Sequence, residues 1–514
     1  MNRMYWLVRF FLPAREAHTS AVIRMLSAAA LLAASLPCLA AEVPVSLDDA
    51  VRMAVENNLS LRAETFNPSI SRTDVRAARA IYNPRVGVLL EHAGSNSRPA
   101  PGSSFFARDR SFDANVSADA LLPTGATASA SFANPWRQDN LETSLSRFAR
   151  PSFTLSVSQP LLQGLGREVT ERNITIASFA TESALANWRS QALFISGNSR
   201  DGYFAVIKAR ENLQTRKASL ALAREIHSGN EARVRAGVLA AVELLDSQLG
   251  VAQREKDLLD ADKNALDEQD KLIVLLNLPP HSVLLLSESF PDVAIDRSEE
   301  NAVRKAIAMR PDLLQARIDL KNREFSAKVG RNLLLPSLSL KGSAGLAGLD
   351  SDYGGALEDL KTGDSPSWSI GIELAYPLGN DAAEADLARN RLLAGQSRVR
   401  IRTLEEAVGL DVRSAIRNLE TREKQIAVAI RGVELAEARL DSYIKRGRVG
   451  LATTKDILQV ESDLTAARES LAGARADFQV GVTQFWRSTG ELLERHGIRI
   501  EDGEIENLAW KEIR

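Results

Sequence analysis

The sequence predicts a mostly α fold with a membrane β-barrel portion. Two tandem repeats each join long antiparallel coiled-coil helices to a few strands. Three observations lead there. Residues 153–166 (FTLSVSQPLLQGLG) alternate Phe153, Leu155 and Val157 with Thr154, Ser156 and Ser158, the period of a two-faced strand. Pro160 ends the alternation, having no N–H for a strand ladder, and a long proline-free, alanine-rich run follows two glycines later. The phrase recurs at Trp368, Ile370, Ile372 and Leu374, spaced by Ser369, Gly371, Glu373 and Ala375 and closed by Pro377 and Gly379. The third observation is a strict heptad over Ile457, Val460, Leu464, Ala467, Leu471, Ala474 and Phe478. It is matched by Ile426, Ala429, Val433, Ala436, Leu440 and Tyr443 on the preceding helix.

The N-terminal segment differs from the rest. Arg3, Arg9, Arg15 and Arg24 precede the apolar run 25–36 (MLSAAALLAASL), and Pro37, Cys38, Leu39, Ala40 and Ala41 follow. Residues 1–41 read as a secretory signal cut after Ala40 or Ala41, with Met25 an alternative start. The apolar run is too short to span a bilayer as a helix. Cys38 is the single cysteine, and Pro37 before it disfavours lipidation, so the mature chain is expected to hold no disulfide. The 64 basic and 66 acidic side chains nearly cancel across 514 residues, which leaves no signature of a nucleic-acid partner.

The repeat is visible in spacing. Residues 54–84 align without gaps on 306–336, placing Leu61 on Leu313, Arg79 on Arg331 and Pro84 on Pro336. Pro84 to Pro160 is 76 positions against 41 for Pro336 to Pro377, whereas Pro160 to Gly237 is 77 against 73 for Pro377 to Gly450. The helices keep their length and the strand region varies. The first repeat is taken as 42–290, the second as 291–495, and 496–514 as a loosely packed tail.

In chain order, 46–80 is expected to be helical from the cap Ser46, interrupted at Asn57, Asn58 and Pro68. Strands are expected at 85–92, 112–121, 126–133 and 152–159. The connections 93–111 and 134–151 are long, and residues 122–125 (LPTG) make a tight turn. Long and short connections in alternation suit an outer-membrane sheet. Helices 168–228 and 240–277, a linker at 281–296, and a helix 298–331 broken at Pro311 come next. Strands near 337–346 and 368–376 flank a loop at 347–366, before helices 382–446 and 453–495.

Four to six strands cannot close a barrel alone, since single-chain outer-membrane barrels begin at about eight. An open sheet in lipid would leave its edge backbone groups unpaired. Three copies would give twelve strands, or eighteen if the 112–133 hairpin joins. The helical hairpins, about 90 Å long for helix 168–228 at 1.5 Å per residue, must then project out of the membrane.

The tandem halves, the phrases SQPLLQGLG and AYPLGNDAAEADLA, and the helix-turn sequences RAGVLAAVELLDSQ and RVGLATTKDILQVESDL resemble the TolC family of outer membrane efflux proteins. The resemblance covers residues 42–495. It implies a homotrimer with a barrel in outer-membrane lipid, helices crossing the periplasm, and tips that meet a periplasmic adaptor and an inner-membrane transporter. The hairpin around 122–125 and the long N-terminus depart from the family pattern.

The candidate site is therefore the pair of helix tips. Gly237 and Gly450 sit where one helix stops and the next begins, a place that often needs positive φ. Thr453 or Thr454 can cap the next helix with Asp456 in its first turn, and Glu243 is the counterpart in the first half. Beside the turns, Val238, Leu239, Val449 and Leu451 are expected to be exposed, either as plain turn residues or as adaptor-docking anchors. Arg233, Arg235, Lys445, Arg446 and Arg448 could pair with Glu231 and Asp441 to hold the pore mouth shut, or form a solvated basic rim. Asp113, Asp119, Lys341 and Glu373 are expected to face the barrel lumen. His92, His227, His281 and His496 lack metal-ligand spacing, and no catalytic or phosphate-loop pattern is present, so neither enzyme, metal nor cofactor is expected. Three functions remain: an efflux duct, a duct for type I protein secretion, and a passive porin or adhesin trunk. The tip motifs argue against the third, since a porin needs no helical extension of about 90 Å, and the sequence does not separate the first two.

Overall fold

The computed structural model describes residues 42–97, 107–139, 147–287, 290–291, 293–499, 503, 505 and 509. The expected signal segment lies outside them. The first described element is β1 (Glu42–Val45), which pairs in parallel with β7 (Val283–Leu286). Ser46 then caps α1 (Leu47–Asn57), accepting from Asp49 N. The helix breaks at Asn58, whose side chain caps α2 (Leu59–Glu64), and at Thr65, before α3 (Phe66–Arg79). Pro68 does not break α3. It lies in the first turn, where the missing N–H has no intrahelical partner to lose.

The larger sheet is a continuous antiparallel array in the order β2 (Arg85–Ser97), β3 (Ala107–Leu121), β4 (Thr127–Asp139), β6 (Ser152–Pro160), β8 (Ser337–Ala347) and β9 (Pro366–Ala375). The short β5 (Arg147–Ala149) pairs with β4. The strands outrun their expected ends, so the connections expected at 93–111 and 134–151 are shorter than the composition suggests. The segment 347–366 is not simply a loop but carries helix α9 (Tyr353–Thr362), capped by Asp352.

The sheet has two chemistries. Arg85, Asp119, Ser129, Ser156, Ser343 and Ser369 lie opposite one another across all six strands, with hydroxyl contacts of 3.1 Å (Ser129–Ser156) and 2.8 Å (Ser343–Ser369). The alternate face carries Val88, Val116, Phe132, Phe153 and Leu346 in another such row. Phe153, Leu155 and Val157 are exposed while Thr154, Ser156 and Ser158 are half-buried, the arrangement of a curved sheet with its apolar side outward. Cysteines placed singly at Ser156 and Ser158 are expected to react with a water-soluble thiol reagent in cells, and those at Leu155 and Val157 to react poorly. Equal labelling at all four would contradict the two faces.

Two helical hairpins leave the sheet at Pro160 and Pro377. After a turn of helix, α4 (Arg167–Thr170), the 64-residue α5 (Arg172–Arg235) returns as α6 (Ala241–Leu276). The break at Arg310, just before Pro311, divides α7 (Glu299–Met309) from α8 (Pro311–Leu333). Then the 68-residue α10 (Asp381–Arg448) returns as α11 (Thr454–Thr489), followed by α12 (Leu492–Arg495). The long helices run further toward the tips than the expected ends at 228 and 446. At 1.5 Å per residue each is about 100 Å long. The helices lie side by side in the order α6, α5, α11, α10. Among the described residues no helix is long and apolar enough to cross a membrane.

The largest core lies around the middle of α5. Trp188, Tyr203, Phe204 and Ile207 pack there against Val45, Ala50, Leu276 and Leu284. The segment 281–296 is thus more than a linker, because β7 supplies Leu284 and Leu286 to this core. The expected loose tail also contributes: Ile505 is fully buried in the same cluster, and His496 is buried.

His496 Nδ1 lies 2.6 Å from Asp48 Oδ1, and its Nε2 lies 3.5 Å from the buried Arg200, which donates to Gln479 Oε1 at 2.8 Å. A neutral imidazole satisfies both neighbours, donating to Asp48 and accepting from Arg200. A second proton would face the guanidinium. Burial accordingly pushes the His496 pKa below its ordinary value, with the Asp48 hydrogen bond opposing and the Arg200 charge adding. Burial likewise lowers Arg200 to about 10. The unfolded chain therefore binds the extra proton first. Stability from this site is complete above about pH 6.5 and declines as pH falls through that value toward the folded pKa. A melting temperature that falls less between pH 7.5 and 5.5 in His496→Gln than in the unmodified protein is the expected result.

Candidate functional site: the helix tips

Both tips are built the same way. In the first, Gly237 has φ of 72°, Val238 N donates to Arg233 O at 3.0 Å, and Gly237 N donates to Val234 O at 3.0 Å. In the second, Gly450 has φ of 78°, Leu451 N donates to Arg446 O at 2.9 Å, and Gly450 N donates to Gly447 O at 3.3 Å. These are two Schellman caps, with glycine at the left-handed position. Such a cap usually packs its last residue on an apolar residue one turn back. Here that place is held by Arg233 and Arg446. Val238 and Leu451 consequently stay 71% and 70% exposed, and Val449 70%. Leu239 is half-buried, unlike the expectation that placed it beside Val238 in solvent.

The second tip hands over to α11 through a capping box, with Asp456 N donating to Thr453 Oγ1 at 3.1 Å and Thr453 N to Asp456 Oδ2 at 3.0 Å. Thr453 Oγ1 also donates to Asp456 Oδ2 at 2.7 Å, and this bond, followed by that from the Thr453 backbone N–H, holds the Asp456 carboxyl below its usual range. Glu243 crosses between tips rather than staying within its own helix, accepting from Thr454 N at 2.8 Å. Asn230 donates to Thr454 Oγ1 at 2.8 Å.

The basic residues do not form one cluster. Arg233 reaches the other hairpin, donating to Gly447 O at 3.3 Å and Arg448 O at 3.3 Å, and so satisfies the last carbonyls of α10 where the helix dipole favours a cation. Arg235 pairs with Glu231 at 3.8 Å and Lys445 with Asp441 at 2.6 Å. Both pairs are exposed and one turn apart on a single helix, so each is worth only about 0.3–0.5 kcal/mol. Arg446 lies over the Tyr443 ring at 5.3 Å. Of these contacts only those of Arg233 join the two hairpins; the contacts of Arg235, Lys445 and Arg446 stay within their own helices.

Sequence reasoning missed a deeper layer. Arg254 on α6 is buried against Glu461 on α11, with 2.7 Å from Nε to Oε2, and donates to Leu458 O at 2.7 Å. Thr465 Oγ1 donates to the other Glu461 oxygen at 2.9 Å. Further from the tip, Arg216 on α5 joins Asp257 at 3.2 Å and Glu469 at 2.6 Å. The available signal was the buried stripe Ser247, Gly250, Arg254 at helical spacing, which holds small and charged residues where a coiled coil would place apolar ones. Gly250 allows the close approach: a Cβ there would sit 2.6 Å from Leu458 Cδ1.

Pro160 and Pro377 stand where sheet meets helices. Gln163 N donates to Pro336 O at 3.3 Å and Gly164 N to Asn332 Oδ1 at 2.7 Å, tying the first exit to the end of α8. On the polar face of the sheet, Arg137 bonds Asp113 at 3.4 Å and Lys341 pairs with Glu373. Among the described residues no cluster suited to a metal ion occurs.

Comparison with known proteins agrees with this architecture. The profile of the outer membrane efflux protein family matches residues 50–278 and 302–491, one segment in each repeat. The pyoverdine export outer membrane protein OpmQ of Pseudomonas putida is 24% identical over 456 residues, 86% of this chain and 92% of that protein. TolC of Escherichia coli K12 is 23% identical over 420 residues, covering 78% and 81%. BepC of Brucella suis is 27% identical over 199 residues, a match spanning 38% of this chain and 42% of that protein. Among solved structures, the outer-membrane channel OprN superposes with a TM-score of 0.64 at 16% identity, over 86% of this chain and 89% of that one. The Campylobacter jejuni CmeC channel gives 0.63 at 15%, over 90% and 89%. The chain belongs to the outer membrane efflux protein family, as an outer-membrane efflux channel of the TolC type.

Proposed function

We propose that three copies of the chain close into one conduit, with the sheets forming a barrel in the outer membrane and the helices a tube through the periplasm. The observation that carries this reading is that both flanks of the chain are unfinished. Among the described residues the outer strands β2 and β9 have no neighbour on one side, and their apolar side chains, Val86, Val88, Trp368 and Ile370 among them, are about 70% exposed or more. Open edges and apolar faces of this kind need both lipid and a further strand. The helical flanks match. On α6, Leu245, Leu249, Leu259 and Leu266 recur at heptad spacing and are each more than half exposed; on α10 two equally exposed pairs, Leu392 with Val399 and Val428 with Leu435, are each seven residues apart. Two apolar stripes on opposite flanks are the two halves of a head-to-tail contact that closes as a ring.

The tips then lie far from the membrane, with Val238, Val449 and Leu451 presented three times each to a periplasmic adaptor joined to an inner-membrane transporter. Export of small molecules through such an assembly is the reading favoured by the family. A type I secretion duct would use the same ring. Native mass of the detergent-extracted protein tests the assembly: three copies are expected, and a stable monomer would reject it.

A further inference from the structure

We propose that the assembled barrel is eighteen-stranded, because the β3–β4 hairpin is a full member of the wall, and that this hairpin gives the lumen a preference for cations. The proposal rests on the ring of three copies and adds what each copy contributes to it. The second repeat supplies two strands to the sheet, β8 and β9, and the first supplies four long ones. The extra pair accounts for the longer interval between Pro84 and Pro160. Removing it would leave β2 antiparallel to β6, so a twelve-stranded ring is topologically open to this chain. The structure points to the larger ring on three grounds.

First, β3 and β4 are 15 and 13 residues long. Both exceed the roughly 9–11 residues a tilted membrane strand needs. Second, their outward face between residues 112 and 132 is apolar or small, with Phe112, Val116, Ala118, Ala128, Ala130 and Phe132 continuing the rows of β2 and β6, and it turns polar at Arg110, Asn134 and Gln138 toward the far end. Third, the hairpin is fastened at both ends. At the helix end, Thr124 O accepts from Gly166 N at 3.0 Å, and Thr124 Oγ1 donates to Gln159 Oε1 at 2.8 Å. Gly125 there has φ of 90°, and a Cβ on it would stand 2.5 Å from Gly164 O, so the turn is fitted to the strand-to-helix exit. At the far end, Tyr353 on α9 donates to Asn134 Oδ1 at 2.9 Å, and Arg150 N donates to Pro135 O at 3.0 Å. A flap lying outside the wall would need none of these contacts.

Eighteen strands spaced about 4.8 Å apart and tilted about 40° give a wall about 36 Å across between backbones, against about 24 Å for twelve. Serine, glycine and threonine dominate the inward positions of β6, β8 and β9, so much of that width stays open. The hairpin also sets the charge. On the lumen face, Arg85 and Lys341 balance Glu91 and Glu373, whereas the hairpin brings Asp109, Asp113 and Asp119 against Arg137 alone. Repeated three times, this spreads an excess of acidic side chains along the height of a wide aqueous lumen, a field that draws cations.

Two measurements test the proposal, in the cysteine-free mature chain. Val88 faces Val116 across the β2–β3 pair, while Val86 is separated from Leu155 by two intervening strands, about 14 Å. A disulfide requires Cα atoms within about 7 Å. The pair Val88→Cys with Val116→Cys is expected to cross-link within one chain, and Val86→Cys with Leu155→Cys to stay reduced. Cross-linking of the second pair, or failure of the first, would overturn the eighteen-stranded wall. Native mass of the same variants reports the three-copy ring separately, so the two readings can fail independently. For the charge, the reversal potential of the trimer in a planar bilayer under a potassium chloride gradient is compared with that of a variant carrying Asp109→Asn, Asp113→Asn and Asp119→Asn. A shift toward zero is expected, and an unchanged potential would reject the hairpin as the source of selectivity.

Discussion

Leu451→Asp is expected to abolish export while leaving the amount of protein in the outer membrane unchanged. Leu451 is 70% exposed at the end of its cap, with an arginine where a packing partner would stand, so folding loses little when it becomes charged. An adaptor that buries it loses about 1.5–3 kcal/mol per copy, and also meets a carboxylate it must desolvate. Three copies act together, which turns a modest contact into loss of the assembly. Resistance or export assays beside quantitation of outer-membrane protein check this. Retained export would remove Leu451 from the docking surface, and loss of the protein itself would make it a structural residue of the turn.

Arg254→Ala is expected to act in the opposite sense, on the protein rather than on its partner. Glu461 would be left buried without its counter-charge, and removing one partner of a buried pair typically costs about 3–5 kcal/mol. The cost falls on the contact between α6 and α11, where Arg254 also donates to Leu458 O. The two hairpins should then separate toward the tips, with faster amide exchange across residues 240–260 and 454–470 and little change in the sheet. Glu461→Gln keeps a hydrogen-bond acceptor and should be milder. Unchanged exchange in Arg254→Ala would show that the pair does not hold the hairpins together.

What the sequence made legible follows from where the ordering forces are local. The alternation at Phe153–Leu155–Val157 and the heptad from Ile457 each need only their own segment. The seam positions Val433, Ala436, Leu440, Val460 and Leu464 do meet in one cluster. The run Val283–Leu286 is too short to declare itself, and becomes a strand only because β1 lies beside it from 241 positions earlier in the chain. Helix α9 was hidden by Gly354 and Gly355 in its first turn, although Asp352 accepts from both their amides. Glycines at the tips were readable because φ is a property of one residue. The roles of Arg233, Glu243 and Arg254 were not readable, since each acts across hairpins more than 200 positions apart in sequence.

The central claim is that the two open edges of the sheet close on each other between copies. Cysteines at Ile370 and Ile372 on β9, each combined in turn with Val86, Val88 or Leu90 changed to cysteine on β2, test it in intact outer membranes. All five side chains are exposed by more than two thirds in the single chain, and no described strand lies beside them on their open sides. Oxidation is expected to give covalent dimers and trimers for at least one register of the panel, with loss of the ladder on reduction. A panel that yields only monomer at every register, from protein that is present and labelled in the membrane, would contradict a ring closed through β2 and β9.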